Sequence, residues 1–239
     1  MELKYLPSGE DGLLIQFEKK ISEKVNQQVR KLEIALKKSN IPGITDMIST
    51  YCSLKIDYNP MKISYKKLID KIKEIKNNIS NMDIDKPFVI EIPTLYNGID
   101  LEFVAEYNNI TIDEVIYIHS SKEYLIYMLG FTPGFPYLGG MSEKISTPRL
   151  ENPRSKIQGG SVGIAGLQTG IYPVDTPGGW RIIGKTPLKL FDTGRENPFL
   201  LESGNYLKFI SINKKEYEKI EEKIKNNNYE IKKYYRDFE

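Results

Sequence analysis

Arginine is the scarce cation of this 239-residue chain. Of its 34 basic residues 28 are lysine, yet four of the six arginines fall between Arg149 and Arg195. Lysine serves wherever a point charge is enough. A planar fork of donors is needed to grip a carboxylate or a phosphate at two places. Arg149 and Arg154 each follow a proline, whose fixed φ narrows the backbone and helps to aim the side chain. An anion clamp is one reading of the pair; an internal ion pair to Glu151 or Asp175 is the other. Close by, Gly159-Gly160-Ser161 can turn successive backbone N–H groups to one side, so that Gly160 and Ser161 would cradle an anion. The bland alternative is a hairpin turn. Gln168, Thr169 and Tyr172 add neutral donors and acceptors. The Gln168 amide offers both, which suits recognition of another amide, with Tyr172 helping to orient it. His119, the only imidazole, reads either as an acid–base group or as a cation at a helix C-terminus.

The same region carries apolar loops, Phe131-Thr132-Pro133-Gly134-Phe135-Pro136-Tyr137 and Pro177-Gly178-Gly179-Trp180. These could line a pocket, meet a partner or pack as a rim. Lone Cys52 lies in an apolar run and reads as a small core residue. Two formal motifs fail on context. Gly179-x-x-x-x-Gly184-Lys185-Thr186 spells a phosphate-binding loop, but its middle, Trp180-Arg181-Ile182-Ile183, reads as a strand, and Pro187 follows where a helix should begin; the mechanism needs that helix N-terminus. Residues 101–121 outline two short helices around Asn108-Asn109, but the second would present Asp113 and Glu114, which repel a phosphate backbone.

The elements that must position these residues change character near residue 86. Residues 1–86 carry two helical patterns, Val25-Val29-Leu32-Leu36 after Ser22 and Leu68-Ile72-Ile75-Ile79 after Ser64, each serine suited to an N-cap. Strand patterns over Leu13–Phe17, Ile44–Thr50 and Leu54–Tyr58 flank them. The spacing predicts a small α+β sandwich, one sheet with two helices on a face. Residues 87–213 offer short strands: Phe88–Ile92, Tyr124–Leu129, Val162–Ala165, Trp180–Ile183, Leu188–Phe191 and Tyr206–Ile212. Residues 130–194 hold 13 of the 18 glycines and seven of the 13 prolines. Such a segment predicts tight loops and a mainly β barrel or sandwich. Residues 214–239 read as a charged tail with a helix-like start.

Composition narrows the field. Acids and bases nearly balance, 32 against 34, which argues against a strongly basic nucleic-acid binder. One cysteine and one histidine argue against a disulfide scaffold and against cysteine- or histidine-rich zinc sites, so no metal ligands are assigned. No apolar run reaches the ~18 residues of a membrane-spanning helix, and the first residues lack a signal-peptide order. A cytoplasmic protein is the expectation.

The stretches GFTPGFPYLGGM, TPRLENPRS, GGSVGIAGLQTGIYP and TPGGWRIIGKTPLKLFD together resemble the family of 5-oxoprolinase B subunits, also known as the KipI or allophanate-hydrolase-subunit-1 family. The resemblance runs from the first strand to about Ile212. Two departures are visible: Gln158-Gly159 stands where the family usually has Pro-Ala, and Lys185 where it often has Arg. The resemblance implies an α+β N-terminal domain and a cyclophilin-like β-barrel. It implies two further subunits, A and C, and an ATP-dependent opening of the lactam 5-oxo-L-proline to L-glutamate, with Mg²⁺ accompanying the ATP. Such chemistry would activate a poor electrophile by phosphorylating its oxygen. Arg149, Arg154, Gly160 and Ser161 would then hold anions, Gln168 and Tyr172 would orient the lactam amide, and His119 would carry a proton. A relative that inhibits a sporulation histidine kinase supplies the alternative, a non-catalytic binding module.

Overall fold

The computed structural model describes residues 3–79 and 86–236. The chain divides into two compact units, Met1–Asp85 and Lys86–Glu239.

In the first unit the order is β1 (Lys4–Pro7), β2 (Gly12–Gln16), α1 (Glu23–Ser39), β3 (Ile44–Ser49), β4 (Ser53–Tyr58) and α2 (Tyr65–Asn78). The sheet is antiparallel throughout, in the order β1-β2-β4-β3. Both predicted caps form: the Ser22 hydroxyl accepts from the Val25 N–H at 3.3 Å and that of Ser64 from Lys67 at 3.4 Å. The period-two residues Leu13, Ile15, Leu54 and Ile56 face one side. They bury against the period-3.6 stripes Val25-Val29-Leu32-Leu36 and Leu68-Ile72. Alternating strand and helix stripes thus close one small core.

The second unit begins with β5 (Phe88–Thr94), α3 (Leu101–Tyr107), α4 (Ile112–Ser120), β6 (Glu123–Leu129) and β7 (Pro136–Gly139). The glycine-rich segment follows as five short strands: β8 (Arg154–Ile157), β9 (Ser161–Ala165), β10 (Gln168–Ile171), β11 (Thr176–Gly178) and β12 (Arg181–Lys185). The chain ends with β13 (Tyr206–Ser211), α5 (Lys214–Lys225) and β14 (Lys233–Tyr235). The largest sheet has the order β14-β5-β13-β6-β7, with β13 parallel to β5 and its other pairs antiparallel. Smaller sheets are β10-β9-β12 and β11-β8. Among the described residues no barrel closes. The ladders break into three sheets; an isolated bridge of Leu95 with Lys185 links the end of β5 to β12, and another, of Thr147 with Gly166, ties a loop to the β9–β10 turn. Proline withholds a ladder donor and glycine adds no side chain to pack, so long strands do not form here.

One core joins the five- and three-stranded sheets to α3 and α4, with Ile92, Val104, Val115, Tyr124, Ile164, Ile183, Leu207 and Phe209 at its centre; Ile157 of β8 packs in a second cluster with Phe135, Ala165, Tyr172 and Trp180. Two expectations need revision. Leu188–Phe191 forms no strand; after Pro187 only Phe191 makes a bridge, to Phe199. The charged tail contributes structure: α5 has an Asn213–Glu216 capping box, and β14 pairs with the outer side of β5. No helix among the described residues is long and apolar enough to cross a membrane.

Ile56 is fully buried in the first core. Replacing Ile56 with alanine is expected to destabilise that unit by about 2–5 kcal/mol, the usual cost of such a cavity. The check is urea unfolding of the full chain followed by a signal from the first unit.

Candidate functional site

A cleft of about 220 Å³ opens on the glycine-rich side of the second unit, lined by Phe131, Phe135, Tyr137, Arg149, Gln168, Tyr172 and the Pro177–Trp180 loop. Its walls are aromatic rings set nearly perpendicular to one another. Phe135 meets Trp180 with centroids 5.5 Å apart at 87°, Tyr172 at 5.8 Å and 77°, and Tyr137 at 5.6 Å and 70°. Edge-to-face pairs of this kind add ~0.5–1.5 kcal/mol each beyond the area they bury. They make a stiff wall from residues that are distant in sequence. At the rim Phe131 stands edge-on to Phe135, 72% exposed, in the left-handed region at φ 68°. A bulky residue there is strained by roughly 1–3 kcal/mol.

Four polar side chains line the cleft: Tyr137, Arg149, Gln168 and Tyr172. The Arg149 guanidinium lies exposed, 5.9 Å from the Trp180 ring centroid. Gln168 opens β10, and Tyr172 follows that strand with its hydroxyl against the Trp180 backbone N–H. Burial raises the Tyr172 pKa, opposed by that N–H and by the charges of Arg149 and Arg154. Its phenol is therefore a neutral hydroxyl at physiological pH.

Several predicted site residues are placed elsewhere. Arg154 is an internal partner. Its Nη2 donates to Asp100 Oδ1 at 2.9 Å and its Nη1 to the Trp180 carbonyl at 3.3 Å. The pairing expected with Glu151 or Asp175 is made instead with Asp100, 54 residues away. Asp175 holds Lys156 at 2.8 Å. Nor do Gly160 and Ser161 form an open nest. The Gly159 N–H donates to Asp175 Oδ1, that of Gly160 to the Tyr172 carbonyl, and that of Ser161 to the Gln158 carbonyl. Gly160 is a turn glycine: its φ is 87°, and an added Cβ would stand 2.6 Å from the Thr186 carbonyl.

His119 lies in the core, in the last turn of α4, with no solvent exposure. Both ring nitrogens are engaged, Nδ1 with the Tyr96 hydroxyl and Nε2 with the Thr169 hydroxyl, each at 2.7 Å. Thr169 donates its single proton to the Gly163 carbonyl at 3.0 Å. It therefore accepts from His119, which fixes the proton on Nε2, and Tyr96 donates to Nδ1. Burial raises the Tyr96 pKa well above its usual value and lowers that of His119 to about 3. The imidazole is neutral, neither a cation at the helix end nor exposed to the cleft.

Asp100 and Tyr96 carry no sequence signal of their roles. Asp100 precedes α3. Its Oδ2 accepts from the Ile182 N–H at 2.7 Å, its own N–H donates to the Ile182 carbonyl at 2.9 Å, and Arg181 Nη1 stands 3.7 Å from Oδ1. Arg181 also stacks on Phe103, 3.8 Å from its centroid. A side-chain position 82 residues from its partner strand cannot be read from local spacing.

Neither phosphate-binding pattern of the sequence is built as a nucleotide site on the described part of the chain. The Gly179–Thr186 match runs through β12, with the Lys185 ammonium 4.6 Å from the Tyr217 ring centroid. The glycine turn has no unused N–H among Gly159, Gly160 and Ser161. No group of three His, Cys, Asp or Glu side chains is placed to hold a metal ion among the described residues.

Residues 3–201 match the family described as carboxyltransferase domain, subdomain C and D. A protein of Bacillus subtilis (strain 168) named as the B subunit of 5-oxoprolinase is 41% identical over 87% of this chain and 92% of its own. The chain belongs to the family of 5-oxoprolinase B subunits. The relative of the same name in Escherichia coli O157:H7 is 35% identical over 84% of this chain and 93% of its own. The crystal structure of TTHA0988 superposes with a TM-score of 0.77 at 34% identity; it covers 84% of this chain, which spans 40% of that longer protein. The Kluyveromyces lactis urea amidolyase shares the fold, with a TM-score of 0.77 at 19% identity, across 97% of this chain and 16% of its own. The alternative of a kinase-binding module gains no support from these relatives.

Two outcomes follow from the buried groups. Asp100→Ala leaves Arg154 and Arg181 without their counter-charge. It is expected to cost roughly 3 kcal/mol, the low end for breaking a buried pair because Arg154 is partly exposed. Chemical denaturation measures it; a loss under ~0.5 kcal/mol contradicts the role. The second outcome is a pH dependence. His119 has its folded pKa depressed from 6.5 to about 3, so below pH ~6.5 the unfolded chain binds a proton that the folded chain refuses. Stability is expected to fall with pH from that point by up to about 1.4 kcal/mol per unit. With a single histidine in the chain, a His119→Gln variant should lose this slope between pH ~6.5 and ~5.

Proposed function

We propose that this chain is the B subunit of an ATP-dependent 5-oxoprolinase and that the aromatic cleft takes the lactam. The observation that carries the reading is the meeting of Arg149, Gln168 and Tyr172 in one ring-walled cleft. 5-Oxo-L-proline is a flat ring with a carboxylate on one side and a lactam amide on the other. Rings such as Phe135 and Trp180 suit its apolar faces, and the volume suits a ligand the size of one amino acid. Arg149 pairs with the carboxylate. The Gln168 side chain, an amide with both donor and acceptor capacity, lines the cleft where the lactam amide would lie. Tyr172 donates its hydroxyl proton at the cleft wall. Arg154 acts through Asp100 and the Trp180 backbone rather than on substrate. Gly160 and Ser161 hold the turn between β8 and β9, and His119 serves within the core.

ATP, with its Mg²⁺, belongs to a partner, since the residues that would hold it here are engaged in strand and turn. Subunits A and C complete the enzyme, which is inactive without them and works in the cytoplasm. The cyclophilin-like description of the second unit belongs to the same proposal, supported by its short strands and aromatic cleft.

The test is reconstitution with candidate subunits A and C, 5-oxoproline and ATP, omitting each in turn and measuring glutamate and ADP. Glutamate is expected only when this chain is present. Arg149→Gln should raise KM for 5-oxoproline about 10–100-fold, the worth of one hydrogen bond to a charged group. An unchanged KM would remove the cleft from the substrate site.

A further inference from the structure

Gln168 is the only amide side chain among the residues lining the cleft, and it stands on one of the shortest strands of the fold, Gln168–Ile171. Successive side chains of a strand point to opposite faces. Gln168 therefore faces the cleft with Gly170, and Thr169 faces the core with Ile171. Gly170 leaves room for the rings: a Cβ there would stand 3.1 Å from Trp180 and 3.3 Å from Phe135. A shift of one residue would bury the amide and put a hydroxyl in the cleft.

Apolar patterning alone holds this strand poorly, because Ile171 is its only large apolar residue. The Gly166-Leu167 turn fixes the pairing of Gln168 with Ala165 and of Thr169 with Ile164. Beside the apolar packing of Ile171, β10 makes one polar contact with the helical layer, through Thr169. Thr169, buried beside fully buried Ile164 and Ile171, occupies a position where valine would pack as well. Its hydroxyl instead joins the Gly163 carbonyl of β9 to His119 of α4. The imidazole is itself pinned, by Tyr96 at Nδ1, by the Phe209 ring at 4.3 Å, and through its backbone carbonyl by the Tyr124 hydroxyl at 2.8 Å. Both ring nitrogens of His119 keep their partners only when Thr169 points inward.

We infer that Tyr96, His119 and Thr169 form a buried latch that sets β10 against α4 and so presents Gln168 to the cleft. They are positioning residues. The buried polar network is kept for what it specifies in geometry, since it adds little net stability over apolar packing. The consequence for catalysis rests on the substrate reading of the cleft given above.

The experiment uses Thr169→Val, Thr169→Ser and Tyr96→Phe in the full chain. Isotope-labelled NMR reads the Gln168 side-chain NH₂ and the His119 ring nitrogens, and glutamate formation by the reconstituted complex reads KM and kcat. Ile92→Val, a core change away from the cleft, controls for lost stability. In the parent chain His119 should show the neutral tautomer with its proton on Nε2. Thr169→Val should shift or split the Gln168 amide signals and raise KM for 5-oxoproline about tenfold, with kcat changed less. Thr169→Ser should restore both, and Tyr96→Phe should give a smaller change in the same direction. Gln168 signals that stay put in both Thr169→Val and Tyr96→Phe overturn the latch. Signals that move while KM stays constant leave the latch standing and overturn the substrate reading instead. A rise in KM matched by Ile92→Val at equal thermal shift also overturns the latch, because lost stability alone would then account for it.

Discussion

The carboxylate of Asp100 is the constraint on which the second unit's working face depends. One oxygen meets Arg154 and Arg181, the other takes the Ile182 N–H, and the residue's own N–H returns to the Ile182 carbonyl. In one step this joins the start of α3 to β8 and β12. Trp180, whose ring walls the cleft, immediately precedes β12 and has its carbonyl held by the same Arg154. Two guanidinium groups on one carboxylate leave positive charge in excess, and Arg149 adds to it at the rim. The local field therefore favours an anion at the cleft even though two of these three arginines serve the scaffold.

The regular parts of this architecture were legible because repetition is a local signal. Both helices of the first unit, their serine caps and the strands between them follow from stripes of period 3.6 and 2. The break in composition near residue 86 is equally plain. The glycine-rich segment was harder. β8, β10 and β11 are three or four residues long, shorter than any pattern can establish. Leu188–Phe191 alternates like a strand yet finds no ladder.

The candidate site was legible as an inventory but not as an arrangement. Arg149, Gln168 and Tyr172 do meet, with the aromatic loops as walls. Arg154 engages two nitrogens of its fork, but with Asp100 and the Trp180 carbonyl, inside the protein. Of the two readings of the glycine segment, nest and hairpin turn, the turn is the one found: a side chain and two carbonyls of the same molecule take its N–H groups. Whether a donor faces a ligand or another part of the chain depends on contacts between distant residues. Asp100, unremarkable in sequence, decides that question for two arginines.

The order of strands in the largest sheet bears on how the protein is made. β5 lies between β13 and β14, so its neighbours come from segments more than 110 residues downstream. The first unit pairs strands close in sequence and can assemble as soon as its own segment leaves the ribosome. β5 cannot do so: a hydrophobic strand, synthesised early, has both edges unpaired until the end of the second unit emerges. Throughout that interval it is a natural client for chaperones that shield nascent chains, and a pause in translation before Tyr206 would prolong its exposure.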